Sequence, residues 1–366
     1  MSFDRVRGHD RVRNLLGRLA AEKRLPPSLL LAGPSGVGKR TLAVEVGRAL
    51  LCLEGRGRVC GSCSVCRRTE HTIFSLPELR EAALRELDRS TGEAKDAAAR
   101  LFNVRLHPDL ILVQPSGVGR SESIKVAQVR DIVAEAAMRP FEGATRVVVV
   151  DSAHMLVEQG ANAFLKTLEE PPADTHFILV SDSVDMLLRT IRSRCQILRM
   201  GPLSDDVVAA YLREVASLGA EEARLRAALA GGSLGLAMQL DADAWLGLRN
   251  DWLDVLEALP KLPASGRFDL AERFASLGPD GDRGQTVAAS LSALRSLLRD
   301  VAVLRATNSG RVQNVDVDGR LRTLAASPFG ARAGDLAERA AESRNALLVG
   351  NANAGMVLDA LFEALR

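Results

Sequence analysis

Ser28-Leu29-Leu30-Leu31-Ala32-Gly33-Pro34-Ser35-Gly36-Val37-Gly38-Lys39-Arg40 is the stretch on which the fold turns. Its first five residues read as a short buried strand, and residues 40–53 read as a helix. Between them lies Gly, four residues, then Gly-Lys, the spacing of a phosphate-binding loop in the strand–loop–helix setting such a loop needs. Gly33, Gly36 and Gly38 let the backbone N–H groups approach a phosphate at the helix N-terminus, and Lys39 would neutralise it. The next residue should be Ser or Thr, whose hydroxyl holds the magnesium of a bound nucleotide. It is Arg40. Thr41 does not restore the ligand, because one step along a helix turns the side chain by about 100°.

Upstream, Val12, Leu15, Leu16 and Leu19 form the apolar stripe of a helix over 10–23, which Pro26-Pro27 ends. Downstream, short apolar runs at 109–113, 146–151, 176–180 and 195–200 alternate with helical stretches, notably 124–138 and 158–170. Strands apolar throughout their length, alternating with helices, predict an α/β fold with a parallel sheet covered on both faces. With the first strand, the sheet has five parallel strands. After Pro202 the strands stop. Ser204-Asp205-Asp206 caps a helix. The remainder reads as helical, broken near Gly231-Gly232, 260–263, 278–284 and 307–320. Residues 76–100, rich in Ala, Glu and Arg, read as an exposed helix with solvated charge, inserted into the first domain.

At 366 residues the chain predicts two or three domains. Its apolar fraction of 47% is ordinary for a globular protein. A net charge of +2 excludes a wholly basic nucleic-acid surface but leaves room for a local patch. No apolar run approaches the roughly 20 residues of a membrane span. The charged start, Met1-Ser2-Phe3-Asp4-Arg5, has no signal core. A cytoplasmic location is expected, with the five cysteines as thiols or metal ligands rather than disulfides.

Three further sites carry chemistry. The run 146–151 ends in Asp151, placed to assist a nucleotide's magnesium. The following Ser152 has no basicity near neutral pH, so a water-polarising carboxylate is missing. His154 reads as a helix-cap or surface histidine, with a role as substitute base as the second reading. Cys52, Cys60, Cys63 and Cys66 concentrate four thiols within a short segment. That set suits a closed tetrahedral zinc site of structural type; an iron–sulfur cluster is the alternative. Finally, Ile191-Arg192-Ser193-Arg194-Cys195 precedes the last strand. Taken alone it is a solvated basic turn, or a turn whose arginine reaches a γ-phosphate on a neighbouring molecule.

These elements, in this order, resemble the clamp-loader branch of the AAA+ family. Gly8-His9-Asp10, His107-Pro108-Asp109, Gln128-Val129-Arg130 and Arg139-Pro140-Phe141-Glu142-Gly143 are similar to its successive segments. Asn162-Ala163-Phe164-Leu165-Lys166-Thr167-Leu168-Glu169-Glu170-Pro171-Pro172 is close to its most recognisable run, and Ser193-Arg194-Cys195 to its arginine-finger motif. Leu298-Arg299-Asp300 and Asn351-Ala352-Asn353 resemble its helical collar.

The resemblance implies an AAA+ P-loop domain over 1–201, with a zinc module at 52–66 and a helical insertion at about 69–105. A helical lid over 202–243 and an all-α collar over 244–366 would follow. It implies a component of the bacterial DNA polymerase III holoenzyme. Its partners would be the gamma/tau motor and delta subunits in a hetero-pentamer, with the sliding clamp and primed DNA engaged through the complex. Arg40, Ser152 and the run Gly232-Ser233-Leu234-Gly235 stand where a motor has its magnesium hydroxyl, its glutamate and its lid arginine. The implied subunit has no ATPase activity of its own and supplies Arg194 in trans. The alternative is an active ATPase of the gamma/tau type. A third reading is a free-standing P-loop regulator in DNA repair or transposition.

Overall fold

The structure, a computed structural model, describes residues 3–278, 283–307, 312–348 and 352–365. Asn351 and parts of the expected breaks near 278–284 and 307–320 lie outside the described residues. The chain divides into two compact units: Met1–Tyr211 with Gly231–Leu236, and Leu212–Ala230 with Ala237–Arg366. Among the described residues no helix is long and apolar enough to cross a membrane.

The first unit runs α1 (Asp10–Ala21), β1 (Ser28–Ala32), α2 (Lys39–Leu51), α3 (Ser64–Phe74), α4 (Leu76–Arg89), α5 (Glu93–Arg100), β2 (Asn103–His107) and β3 (Leu110–Val113). It continues through α6 (Val126–Ala136), β4 (Arg146–Val150), α7 (Glu158–Glu169), β5 (Thr175–Ser181), the single turn α8 (Arg189–Arg192) and β6 (Gln196–Arg199). The sheet order is β2-β3-β4-β5-β1-β6. All five strands read from the sequence are present and pair in parallel. The expectation of five strands is corrected at one edge, where β2 pairs antiparallel with β3 as a sixth. Only Arg105 of its five residues is exposed. Its place at the end of the sheet order, with β3 as its one strand neighbour, makes it an edge strand.

The parallel strands are buried on both faces, and successive residues enter different cores. Leu29, Leu31, Val147, Val149, Ile178 and Val180 meet Leu42, Val46 and Ala49 of α2. Leu30, Val148, Val150, Phe177 and Leu179 meet Val129 and Ile132 of α6 and Phe164 and Leu168 of α7. Each such side chain contributes roughly 1.5–3 kcal/mol by leaving water. Two segments read from the sequence prove to be the sheet's polar bracing. The Asp109 carboxylate, fully buried, accepts the N–H groups of Phe141 (2.7 Å), Glu142 (2.8 Å) and Gly143 (3.0 Å) and pairs with buried Arg146 at 3.4 Å. Buried Gln128 donates to the Gln114 carbonyl at 2.8 Å and accepts the Lys125 N–H at 3.0 Å.

The insertion is two helices, α4 and α5, rather than one, separated at Ser90-Thr91-Gly92. It is not simply solvated. Ala83, Ala98 and Ala99 are buried, and Arg80 donates to the Pro115 carbonyl at 3.0 Å and pairs with Glu122.

Among the described residues from 205 onward the regular elements are helices: α9 (Asp205–Val215), α10 (Ala220–Ala230), α11 (Leu234–Gln239), α12 (Ala242–Ala258), α13 (Ala264–Ala275), α14 (Arg283–Thr307), α15 (Asp318–Ala326), α16 (Ala333–Leu348) and α17 (Ala354–Ala364), with short 3₁₀ turns between some of them. The second unit has its own core. Trp252 of α12 lies against Phe274 and Phe362 with ring centroids 4.1 Å and 5.5 Å away, beside Leu291, Leu294 and Leu298 of α14. Buried Asp300 accepts the N–H groups of Gln313 (2.9 Å) and Asn314 (2.8 Å). Asn353 caps α17 through the Gly355 N–H at 2.9 Å.

Candidate functional site

In an open parallel sheet, ligands bind beyond the carboxyl ends of the strands. The glycine loop lies there, between α2 and β1, the strand next to the β6 edge. The Gly33 N–H donates to the Ser181 carbonyl at the end of β5 (3.3 Å), and a β-carbon at Gly33 would overlap the Met200 carbonyl oxygen. Val37 is buried, and its carbonyl lies 3.1 Å from His9 Nε2. Gly38 forms the N-cap of α2 with φ 99°.

Lys39 opens α2 but is only 3% exposed. Its ammonium donates to the Pro34 carbonyl within the loop and pairs with Asp182 at 2.6 Å. Arg40 reaches Asp151 at 3.4 Å from the exposed side of α2. Burial raises the Asp151 carboxyl above its ordinary value, against the pull of Arg40. His154 is half-buried, and its Nδ1 lies 3.3 Å from Ser181 Oγ. Burial pushes its pKa down, which favours the neutral ring.

The loop is also covered by a later part of the same unit. The Gly235 N–H donates to the Gly36 carbonyl at 3.0 Å, and a β-carbon at Gly36 would overlap the Ser233 hydroxyl. Both cations of the loop therefore have carboxylate partners within the chain. An incoming phosphate would have to displace Asp182 from Lys39 and approach Asp151 as a like charge.

The cysteine set assembles in full. Cys52 follows α2, Cys63 caps α3 and Cys66 lies in its first turn. The sulfurs of Cys52, Cys60, Cys63 and Cys66 all lie within 4.8 Å of one another. Individual separations are 3.7 Å (Cys52–Cys66), 3.9 Å (Cys60–Cys66) and 4.0 Å (Cys52–Cys63). These are far longer than a disulfide of about 2.05 Å. They match the edge of about 3.8 Å of a tetrahedron with metal–sulfur bonds of about 2.3 Å. Cys63 and Cys66 are buried. Backbone N–H groups point at sulfur, Cys63 to Cys60 at 3.4 Å and Cys66 to Cys63 at 3.5 Å. The Ser62 hydroxyl, with the backbone N–H groups, lowers the Cys60 thiol to about 6, whereas burial pushes Cys66 up to about 12. The four thiols could bind zinc, and the geometry leaves no coordination position open. Behind them, buried Arg48 pairs with Glu45 of its own helix (2.6 Å) and ties α2 to α3 through Glu70 (2.7 Å), Thr69 (2.9 Å) and the Cys66 carbonyl (3.2 Å).

The third site, the basic turn, is anchored by Ile191, which is fully buried in the core beneath α7. Arg192 and Arg194 stay nearer the surface and pair with different carboxylates, Asp185 at 3.5 Å and Glu169 at 2.9 Å. Gly33, Gly36, Gly38, Lys39 and Asp151 thus gather around the loop, while Arg194 and the cysteine set form separate centres. Sequence reasoning missed Asp182, Ser233 as a cover, Glu169 and Arg48. Asp182 had a signal, a carboxylate just past the strand that flanks the loop strand. Ser233 and Arg48 had none, since their partners are brought to them only by folding.

Residues 8–204 match the family described as DNA polymerase III, delta subunit. A DNA polymerase III subunit delta' of Bacillus subtilis is 31% identical over 198 residues, which cover 54% of this chain and 49% of that protein. The chain thus spans about half the length of that relative. The subunit delta' of Escherichia coli is 27% identical over 81% of this chain and 76% of its own length. The subunit gamma/tau of Mycoplasma pneumoniae is 25% identical over 59% of this chain and 26% of its own length.

Proposed function

Because the chain belongs to the DNA polymerase III delta subunit family, we propose that it acts as the delta'-type, non-hydrolysing subunit of a bacterial clamp loader and lends Arg194 to ATP bound on a neighbour. The observation that carries this reading is the loop turned in on itself. Lys39, the group that would meet a phosphate, is held by Asp182 at 2.6 Å. Arg40 occupies the place of the magnesium ligand and lies on Asp151. A motor site needs both groups free for nucleotide and metal. Arg194 is also paired with a carboxylate, but its side chain is 29% exposed where that of Lys39 is 3%, so a neighbour can reach it, and one arginine supplied in trans can stabilise the charge that develops on a transferred phosphoryl group.

In this reading residues 202–243 serve as lid and 244–366 as collar. Gamma/tau and delta subunits complete a hetero-pentamer that loads the sliding clamp at primed DNA. Cys52, Cys60, Cys63 and Cys66 hold a structural zinc, which would cross-link the end of α2 to α3.

The test is ATP turnover by a complex reconstituted with gamma/tau and delta in the presence of clamp and primed DNA. Arg194→Ala is expected to slow turnover, on the order of 10³-fold at a fully dependent site and less when several sites contribute. Unchanged turnover would remove the trans role. The second reading, an active motor, is favoured by the preserved Gly33–Lys39 spacing. Magnesium-dependent hydrolysis by the protein alone, abolished by Lys39→Ala, would establish it instead.

A further inference from the structure

We propose that Glu169 is the positioning residue of Arg194, fixing the guanidinium so that one fork of donors is left for a neighbour's phosphate; this rests on the trans role above. Arg194 Nε and Nη2 both donate to Glu169 Oε2, at 3.2 Å and 2.9 Å. Nη1 donates to the Thr190 carbonyl at 3.0 Å. A guanidinium has five N–H donors in a rigid plane, so three are committed. Two remain, one on each terminal nitrogen, and such a pair matches two oxygens of a phosphate. The side chain that must find a phosphate is therefore already oriented before the neighbour arrives, which removes rotamer entropy from the encounter.

Glu169 is not placed for the benefit of its own helix. It is the last residue of α7, where the helix dipole disfavours a carboxylate. Its position is nonetheless rigid. Leu168 beside it is 2% exposed, the Leu168 carbonyl accepts the Ser28 hydroxyl at 3.4 Å, and Pro171-Pro172 end the segment. The opposite wall is equally fixed, since Ile191 is fully buried. A rigid helix end and a rigid turn thus set the plane of the guanidinium. The pair is also too exposed to matter for folding, with side chains 29% and 58% exposed.

The experiment compares Glu169→Ala, Glu169→Gln, Arg194→Ala and the Glu169→Ala/Arg194→Ala pair in the reconstituted complex. Turnover, KM for ATP, complex assembly and thermal unfolding are read together. Misplacing a group that acts on the reacting phosphate lowers kcat by about tenfold to a hundredfold. Glu169→Ala should do this with KM, assembly and unfolding unchanged. Glu169→Gln keeps an acceptor oxygen and should retain most of the turnover. In the double variant, Glu169→Ala should add nothing to the loss from Arg194→Ala. Full turnover by Glu169→Ala beside a loss in Arg194→Ala overturns the positioning proposal alone, as would a gain, which would make Glu169 a restraint. Full turnover by Arg194→Ala overturns the trans role and this proposal with it.

Discussion

Gly36 meets two constraints at once. Its φ of 73° lies in the left-handed region, and the Ser233 hydroxyl occupies the space a β-carbon would need. Gly36→Ala is expected to destabilise the first unit by about 1 kcal/mol or more, read as a lower urea midpoint followed by circular dichroism. Adding Ser233→Gly relieves the overlap but not the backbone strain, so the double variant should recover part of the loss. Ser233→Gly alone is the reference, since the Ser233 hydroxyl also accepts the Leu236 N–H at 3.1 Å; strictly additive losses in the double variant would mean that Ser233 does not press on the loop. The glycines were legible in the sequence as the tight turn between β1 and α2, and Arg40 as a departure from the expected spacing motif. The cover was not, because Ser233 and Gly235 reach Gly36 only after the whole sheet has formed between them.

At the scale of elements, Asp109 decides how β3, β4 and the 139–143 turn hold together. Burial alone would raise its carboxyl. Three backbone N–H groups and the Arg146 guanidinium outweigh that and hold it below the ordinary value. A carboxyl depressed in the folded state adds stability above its unfolded pKa of about 3.9 and loses it as pH falls through the folded value. The first unit should therefore lose stability below about pH 4. Asp109→Asn should flatten that acid limb and cost about 3 to 5 kcal/mol. The lower end is expected, because Arg146 keeps the carbonyls of Met138 and Arg139 at 2.9 Å and 3.1 Å. Urea unfolding of both proteins from pH 3 to 7 measures it, and an acid limb unchanged in the variant would contradict the assignment. The runs Leu29-Leu30-Leu31 and Val147-Val148-Val149-Val150 declared their strands outright. Asn103–His107 was passed over because it follows a charged helical stretch and lacks a continuous apolar run.

For the whole molecule, two compact units, each with its own buried side chains, predict two separable unfolding events. The sheet packs residues such as Leu30, Val148 and Phe164, whereas the helical unit packs Trp252, Phe274 and Leu294. Alternation of strands with helices, followed by helices alone, made that division readable. The insertion's two helices were blurred into one because Ser90-Thr91-Gly92 is a short break in a uniformly charged composition. The tryptophan placement carries a consequence for spectroscopy. The chain's two tryptophans, Trp245 and Trp252, both lie on α12 in the second unit. Tryptophan emission, excited selectively over Tyr211 of the first unit, is therefore an optical channel for the second unit. Adding a zinc chelator should shift the first unit's transition seen by circular dichroism while the emission maximum and its own melting curve stay where they were. A matching shift in both signals would show that the two units unfold as one.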